Sequence, residues 1–399
     1  MKKLLFLSCF CALFTTSVCA QVRVAKSADR KISINLSGMR IAADSGSQTF
    51  FQTLENDLRL SGWFSLSRSS GEILLNGSVS QRGGKIQASI QATRPADRAR
   101  LLSKGYALET AQVRALAHRA ADDIVEAITG HKGFASTKIA LVGTRSGAKE
   151  LWLCDADGKG LRQLTSDRSI VVGPNWGPAG NNLFYTSFTR GFPDLYRIDL
   201  NRGKRYGVAS YGGLNTGAAI SPDGKTMALI LSKDGNPELY IQSLSRGTPQ
   251  RMTQTLRAAE ASPCWSPDGN HIVFVSDQSG TPQLYIISRN GGRPRRLSRR
   301  GSENVAPDWG SNGWIACASR ERGRYHVAII HPSTGETRYL PTDGADYEDP
   351  SWAPDGRHLV ATRTVRYQSG LYLLDTVNDP PVALIQGGGN WLSPAWSPR

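Results

Sequence analysis

From Lys138 onward, short apolar runs alternate with glycine-rich turns, and the whole alternation repeats about every 44 residues. The unit around Trp265 shows the grammar. Ser262-Pro263-Cys264-Trp265 reads as a short strand, and Pro267-Asp268-Gly269 as a turn whose glycine is free to take positive φ. Ile272 to Ser276 is apolar throughout, as in a strand buried on both faces. Gly280 marks a turn, Leu284 to Ser288 a third strand, Asn290-Gly291-Gly292 a hairpin, and Arg295 to Leu297 a fourth strand. The punctuation recurs as Trp176-Gly177-Pro178-Ala179-Gly180, Ile220-Ser221-Pro222-Asp223-Gly224, Trp309-Gly310-Ser311-Asn312-Gly313 and Trp352-Ala353-Pro354-Asp355-Gly356, and last as Trp396-Ser397-Pro398. The steps are 44, 45, 44, 43 and 44 residues. Four short strands per unit at this period predict a β-propeller.

Second strands are expected near Ile139, Leu183, Met227, Ile272, Trp314 and Leu359, which makes six blades. The fifth departs most, with His326-Val327 where the other units carry Leu-Tyr or Leu-Trp. The first lacks an innermost strand before it, and Leu392 to Pro398 is an innermost strand without a blade. Pro394 and Trp396 are therefore assigned to ring closure, which pairs the two ends of the propeller and removes an open sheet edge.

Upstream, the pattern changes. Val22 to Val24 and Ile32 to Leu36 alternate as short strands. Phe50, Phe51, Leu54, Leu58 and Leu60 fall at helical spacing before Gly62. Ile73 to Val79 and Lys85 to Ala92 flank Gly83-Gly84 as a hairpin. Thr110 is placed as the cap of a second helix, with Val113, Leu116, Ala117, Ala120, Ile124 and Ile128 as its buried stripe and Gly130 as its stop. The fold class is thus mostly β: a small α+β domain over 21–135 and a six-bladed propeller over 136–399. Residues 1–20 have a basic start at Lys2 and Lys3, an apolar stretch from Leu4 to Phe14 and small residues at Val18-Cys19-Ala20. They read as a secretory signal cut after Ala20.

Export changes how charge and cysteine are read. A net charge of +15 would suit nucleic acid, but an exported chain does not normally meet it. The run Arg293, Arg295, Arg296, Arg299, Arg300 is assigned to a solvated outer strand and turn, with an anionic partner as the second reading. Cys154, Cys264 and Cys317 remain beyond the signal, an odd number inside apolar strands, expected as buried small hydrophobes.

No catalytic constellation stands out. Val208-Ala209-Ser210-Tyr211-Gly212 lacks the first glycine of a nucleophile elbow. Asp155-Ala156-Asp157-Gly158 resembles a calcium-loop fragment without its later ligands, and is assigned to a blade turn. His326 and His331 share a segment with no third ligand nearby, so neither metal nor cofactor is expected. Asp223, Asp268 and Asp355 recur with the turns and are expected to bond turn backbone. What is left is the face where the innermost strands begin. Its loops Gly212 to Thr216, Arg257 to Glu260, Gly301 to Asn304, Gly344 to Glu348 and Gly387 to Trp391 are polar and glycine-rich, with Tyr211, Tyr347 and Trp391 as candidate exposed aromatics.

The signal, the α+β domain, the junction Ile128-Thr129-Gly130-His131-Lys132-Gly133-Phe134, the run Lys138-Ile139-Ala140-Leu141-Val142 and the ending Pro394-Ala395-Trp396-Ser397-Pro398 together resemble the TolB family. These are periplasmic propellers of the Tol–Pal system. The resemblance implies a non-enzymatic, cofactor-free adaptor, peripheral to the envelope membranes, that serves outer-membrane integrity and constriction at cell division. It implies that the peptidoglycan-associated lipoprotein Pal docks at the channel mouth. By motif that interface falls at Asn215, Thr216, Ala219, Glu260, Pro263, Cys264, Asn304, Tyr347 and Trp391. It also implies contact of TolA and other Tol components with the N-terminal stretch Gln21, Val22, Arg23, Val24, Ala25 and Lys26. The competing expectation is an exported propeller with a hydrolase-accessory or ligand-binding role, which requires a cluster of catalytic or ligand groups in the channel.

Overall fold

The computed structural model describes residues 30–399 apart from 246 and 378. The Val22 to Val24 strand and the TolA-type stretch from Gln21 to Lys26 lie outside the described residues.

The first unit is a five-stranded sheet covered on one side by two helices. Its elements are β1 (Ile32–Ile41), α1 (Ser45–Leu60), β2 (Phe64–Ser67), β3 (Ile73–Arg82), β4 (Lys85–Arg94), β5 (Ala99–Glu109) and α2 (Val113–Thr129), and the strand order is β2-β1-β3-β4-β5. Strict alternation decides which face is buried: Ile86, Ala88, Ile90 and Ala92 of β4 point to the helices, and the residues between them point to water. Asp44 caps α1, accepting the Ser47 amide at 2.7 Å. Gly130 ends α2 with φ 74°. Thr110 is not the cap of α2. It opens a 3₁₀ turn, Thr110–Gln112, and its hydroxyl donates to the Gly84 carbonyl at 2.7 Å, so it ties the turn to the β3–β4 hairpin instead. Neither β2 nor β5 was anticipated from the sequence. Both are edge strands, with few buried side chains to impose a period.

The second unit is a ring of six four-stranded antiparallel sheets. Their innermost strands are Val171–Trp176, Asn215–Ile220, Glu260–Trp265, Asn304–Trp309, Asp346–Trp352 and Trp391–Trp396. The last of these pairs with Lys138–Gly143, joining Trp391 to Gly143 and Trp396 to Ile139 in register. The first blade therefore holds both ends of the propeller. Trp391 packs edge-on to Trp152 at 5.4 Å and Trp396 edge-on to Phe134 at 5.2 Å. Burial of each indole contributes roughly 1.5–3 kcal/mol.

Every innermost strand breaks register at the same place. The residue there is left-handed in all six: Gly173, Gly217, Ser262, Ala306, Asp349 and Ser393, with φ between 45° and 66°. Only two are glycine, so the ring holds four L-residues in a sparsely populated region. The bulge bends the strand and interrupts its pairing there. Beyond it, five side-chain bonds cross between neighbouring blades. The Trp309, Trp352 and Trp396 amides donate to Cys264 Sγ (3.2 Å), Asp308 Oδ2 (2.7 Å) and Ser351 Oγ (3.0 Å) of the preceding blades. The Trp265 and Trp176 indoles donate to the Ala219 and Ala395 carbonyls at 3.0 and 2.9 Å. The tryptophans thus stitch blade to blade as well as filling the core.

The turn aspartates act as expected. Asp223, Asp268 and Asp355 each accept the backbone amide two residues on, all at 3.0 Å. Cys154 and Cys317 are buried, while Cys264 is half-buried and serves in the interblade ladder; all three are free.

Candidate functional site

The propeller has two faces. At one, which we call the open face, the innermost strands begin. At the other they end, and there the α+β unit docks.

The docked face holds two buried ion clusters. Arg114 of α2 bonds Asp155 (2.8 Å) and Asp157 (2.7 Å) of the first blade, and Lys138 pairs with the same Asp155. His118, four residues along the same helix face, lies 2.7 Å from Asp57 of α1 and 3.3 Å from Asp155. Burial alone would lower the His118 pKa, but the hydrogen bonds to Asp155 and Asp57 outweigh it and raise it to about 9. Asp155 is held far below the carboxylate range despite burial, by His118 and Lys138. The ligand atoms of His118, Asp155 and Asp157 lie within 4.8 Å of one another, a spacing open to a metal. Arg114, Lys138 and His118 surround these carboxylates as partners in a salt-bridge network.

The second cluster surrounds His358, between Asp355 (2.6 Å) and Asp375 (3.4 Å). Burial opposes its charge, yet Asp355 and then Asp375 raise its pKa to about 9. Arg357 bonds Asp375 at 2.6 Å, lies over the Trp63 ring at 4.5 Å, and reaches the Gly62 carbonyl. Arg399, just past the closing strand, donates to the Gly133 carbonyl. Sequence reasoning assigned Asp155 and Asp157 to a simple turn and passed over His118. Arg114 and His118, which meet them across the two units, lie 37 to 43 residues away, and no local pattern announces those pairings.

At the open face, most of the residues chosen from sequence turn out to be scaffold. Trp391 is 1% exposed and Tyr347 0%, which corrects their assignment as exposed aromatics. Asn215, Ala219, Glu260, Pro263 and Asn304 are also buried; Thr216 and Cys264 are half-buried. For Asn215, Asn304, Tyr347 and Trp391 the reason is a repeated staple. The first residue or two of an innermost strand bonds the loop residue four places earlier: Asn215 Nδ2 to the Tyr211 carbonyl (2.7 Å), Asn304 Nδ2 to the Arg300 carbonyl (2.7 Å), Tyr347 Oη to Asp343 (3.2 Å) and Trp391 Nε1 to the Gly387 carbonyl (2.8 Å). These side chains hold the mouth loops in shape.

The loops expose apolar and basic side chains, with Asp234, Asp277 and Asp343 as acidic ones among them. Leu256 is 99% exposed, Tyr367 92% and Phe192 71%, with Ile170 about half-exposed. All four sit on connections at the open face. Around them Arg145, Lys149, Arg168, Arg257, Arg322 and Arg366 are exposed. Inside the channel, burial raises the pKa of neighbouring Glu348 and Asp349; Asp349 also accepts the Ser393 hydroxyl at 2.8 Å. Neither carboxyl bonds a histidine among the described residues; the hydroxyl that meets Asp349 is that of Ser393.

The model of the TolB beta propeller domain matches residues 125–399. The chain belongs to the TolB family. It is 32% identical over 314 residues to the Tol-Pal system protein TolB of Gluconobacter oxydans, covering 75% of this chain and 68% of that one. It is 32% identical over 190 residues to a TolB homolog of Chlorobaculum tepidum, and there spans only 43% of the relative's length. The crystal structure of TolB from Acinetobacter baumannii is similar at a TM-score of 0.81 and 28% identity, over 94% of this chain and 98% of that one. The TolB-like arrangement thus includes the α+β unit as well as the ring.

Proposed function

We propose that the chain is a non-enzymatic periplasmic scaffold of the Tol–Pal system that docks the peptidoglycan-associated lipoprotein Pal on its open face. In this reading it contacts Tol inner-membrane components through its N-terminal region, in the service of outer-membrane integrity and constriction at division. The observation that carries the reading is the asymmetry of the two faces. One is taken up by the chain's own first unit. The other surrounds the channel mouth with Leu256, Phe192, Tyr367 and Ile170 in water. Large apolar side chains grouped at one end of a rigid scaffold are what a protein partner buries. The exposed arginines around them favour a partner with acidic groups on its contacting surface.

The test is titration of the full chain with a soluble Pal domain. The double variant Phe192→Asp, Leu256→Asp is expected to weaken binding at least about tenfold, the usual weight of one or two anchors. Unchanged affinity would place the contact elsewhere. Recovery of small-molecule hydrolysis by the purified chain would favour the competing reading.

A further inference from the structure

One mouth loop is built differently from the rest. The connection from Thr253 to Ala259 carries Leu256 and Arg257 at its tip, and the innermost strand that follows begins with Glu260. Glu260 staples nothing four places back; its Oε1 accepts the Ser276 hydroxyl at 2.9 Å. The loop hangs instead from Glu238. Glu238 Oε1 accepts the Thr255 amide (2.6 Å), the Thr255 hydroxyl (3.0 Å) and Arg251 Nη2 (2.9 Å). Asn236 Nδ2 braces the same loop through the Thr255 and Ala258 carbonyls.

Glu238 and Glu260 are both buried, and their carboxyls lie within hydrogen-bonding reach of each other. The Oε2 atom of each lacks a hydrogen-bond partner. The next blade junction has Gln283 and Asn304 in the corresponding places, and there Asn304 Nδ2 donates to Gln283 Oε1 at 2.9 Å. Two carboxyls can make that bond only if one of them carries a proton.

We propose that Glu238 and Glu260 share one proton, and that its loss frees the Thr253 to Ala259 loop and with it the Leu256 contact of the open face. This rests on the docking role proposed above and adds its regulation. Burial, and then the charge of Glu238, push Glu260 up to about 8. Burial acts on Glu238 in the same sense, but Thr253, Thr255 and Arg251 outweigh it and hold Glu238 below its ordinary value. Glu238 Oε1 accepts from Arg251 and from the Thr255 amide and hydroxyl, so Glu238 is the carboxyl of the two that the donors hold as an anion. The surroundings offer little to absorb a second negative charge. Arg251 is the cation that touches the pair. Asp277 adds negative charge from the adjoining loop, where it accepts the Ala259 amide at 2.8 Å. Lys233 is spent on Asp234. The flanking strands Asn215–Ile220 and Thr226–Leu231 hold no titratable side chain. His271 and Asp308 lie at the far ends of their strands, by the other face. Ionised Glu260 repels Glu238, and Glu238 is the anchor of Thr255.

Arg257 gives a direct readout, because trypsin cuts after it only when the loop opens. The full chain is compared with Glu260→Gln, whose amide can donate to Glu238 as Asn304 does to Gln283, so that the protease's own pH profile cancels. Cleavage after Arg257 is expected to be equal in the two proteins at pH 6.5. At pH 9, about one unit above the Glu260 pKa, it is expected to be about tenfold faster in the unaltered chain. Glu238→Ala, which removes the acceptor of Thr255, should cut fast at both pH values. Equal cleavage of the unaltered chain and Glu260→Gln at pH 9 overturns the switch, as does slow cleavage of Glu238→Ala. In parallel, affinity for the soluble Pal domain should fall between pH 6.5 and 9 in the unaltered chain and stay level in Glu260→Gln. No Pal binding at any pH overturns the docking role, and the cleavage result then decides the switch on its own.

Discussion

The two faces of the propeller solve opposite problems with the same repeat. On the docked face, blade turns present Asp155, Asp157, Asp355 and Asp375 to Arg114, His118, Lys138, Arg357 and His358, and the charges are buried in pairs. On the open face, the corresponding loops are stapled from beneath, and their tips leave leucine, phenylalanine, tyrosine and arginine in water. The difference teaches where each kind of residue acts. Buried charge fixes the relation of the two units, because leaving any member unpaired is costly. Exposed apolar tips cost the isolated chain little stability and are free to serve a partner.

The largest effect should come from breaking the ring that creates both faces. A chain ending at Gln386 loses the pairing of Trp391 and Trp396 with Gly143 and Ile139, and with it Arg399 on Gly133. Domain stabilities are about 5–15 kcal/mol in all, so cooperative thermal unfolding should be lost or displaced far downward. An unchanged melting temperature would refute closure by this strand.

Next comes the docked face. Arg114→Ala strands Asp155 and Asp157 and is expected to cost about 3–5 kcal/mol. Calorimetry should then resolve two transitions, one for each unit. A single transition at the original temperature would mean that the cluster does not hold the units together.

The same face predicts a pH dependence. His118 and His358 are raised from 6.5 to about 9, so their contribution is fully present below about pH 6.5 and lost as pH rises through 9. Glu260, raised from 4.5 to about 8, shifts stability in the same direction across its own range. Asp155 and Asp375 are held low, so their contribution is lost only in strong acid. The melting temperature should therefore fall between pH 6.5 and 9.5, and His118→Gln should flatten part of that slope. A melting temperature level across this range would contradict charged histidines at the interface.

The smallest stability effect belongs to the open face. Phe192→Asp with Leu256→Asp should change unfolding free energy by no more than about 0.5 kcal/mol per site while weakening the partner. A large drop in melting temperature would show that these tips pack in the fold after all.

Much of the fold was legible in the chain because a propeller blade carries its own signals. Apolar second strands, turn glycines and the tryptophan step are local, and six repeats reinforce one another. The site was less legible. Tyr347 and Trp391 look like exposed loop aromatics in sequence, yet each bonds a residue four places back and is buried beneath the loop. Thr110 resembles a helix cap but spends its hydroxyl on Gly84. Leu256 and Phe192, the most plainly exposed large side chains on their loops besides Tyr367, carried no motif at all.

By itself, then, the sequence determined six blades, the closing strand, the helices of the first unit and the turn role of the repeated aspartates, because each depends on contacts near in sequence or on periodicity. Only the tertiary structure decided which face the first unit covers, that Asp155 and Asp157 meet Arg114, and that Glu238 meets Glu260. Those pairings join residues from different elements, and burial there makes each charge depend on its neighbours across the fold and not on the residues beside it in the chain.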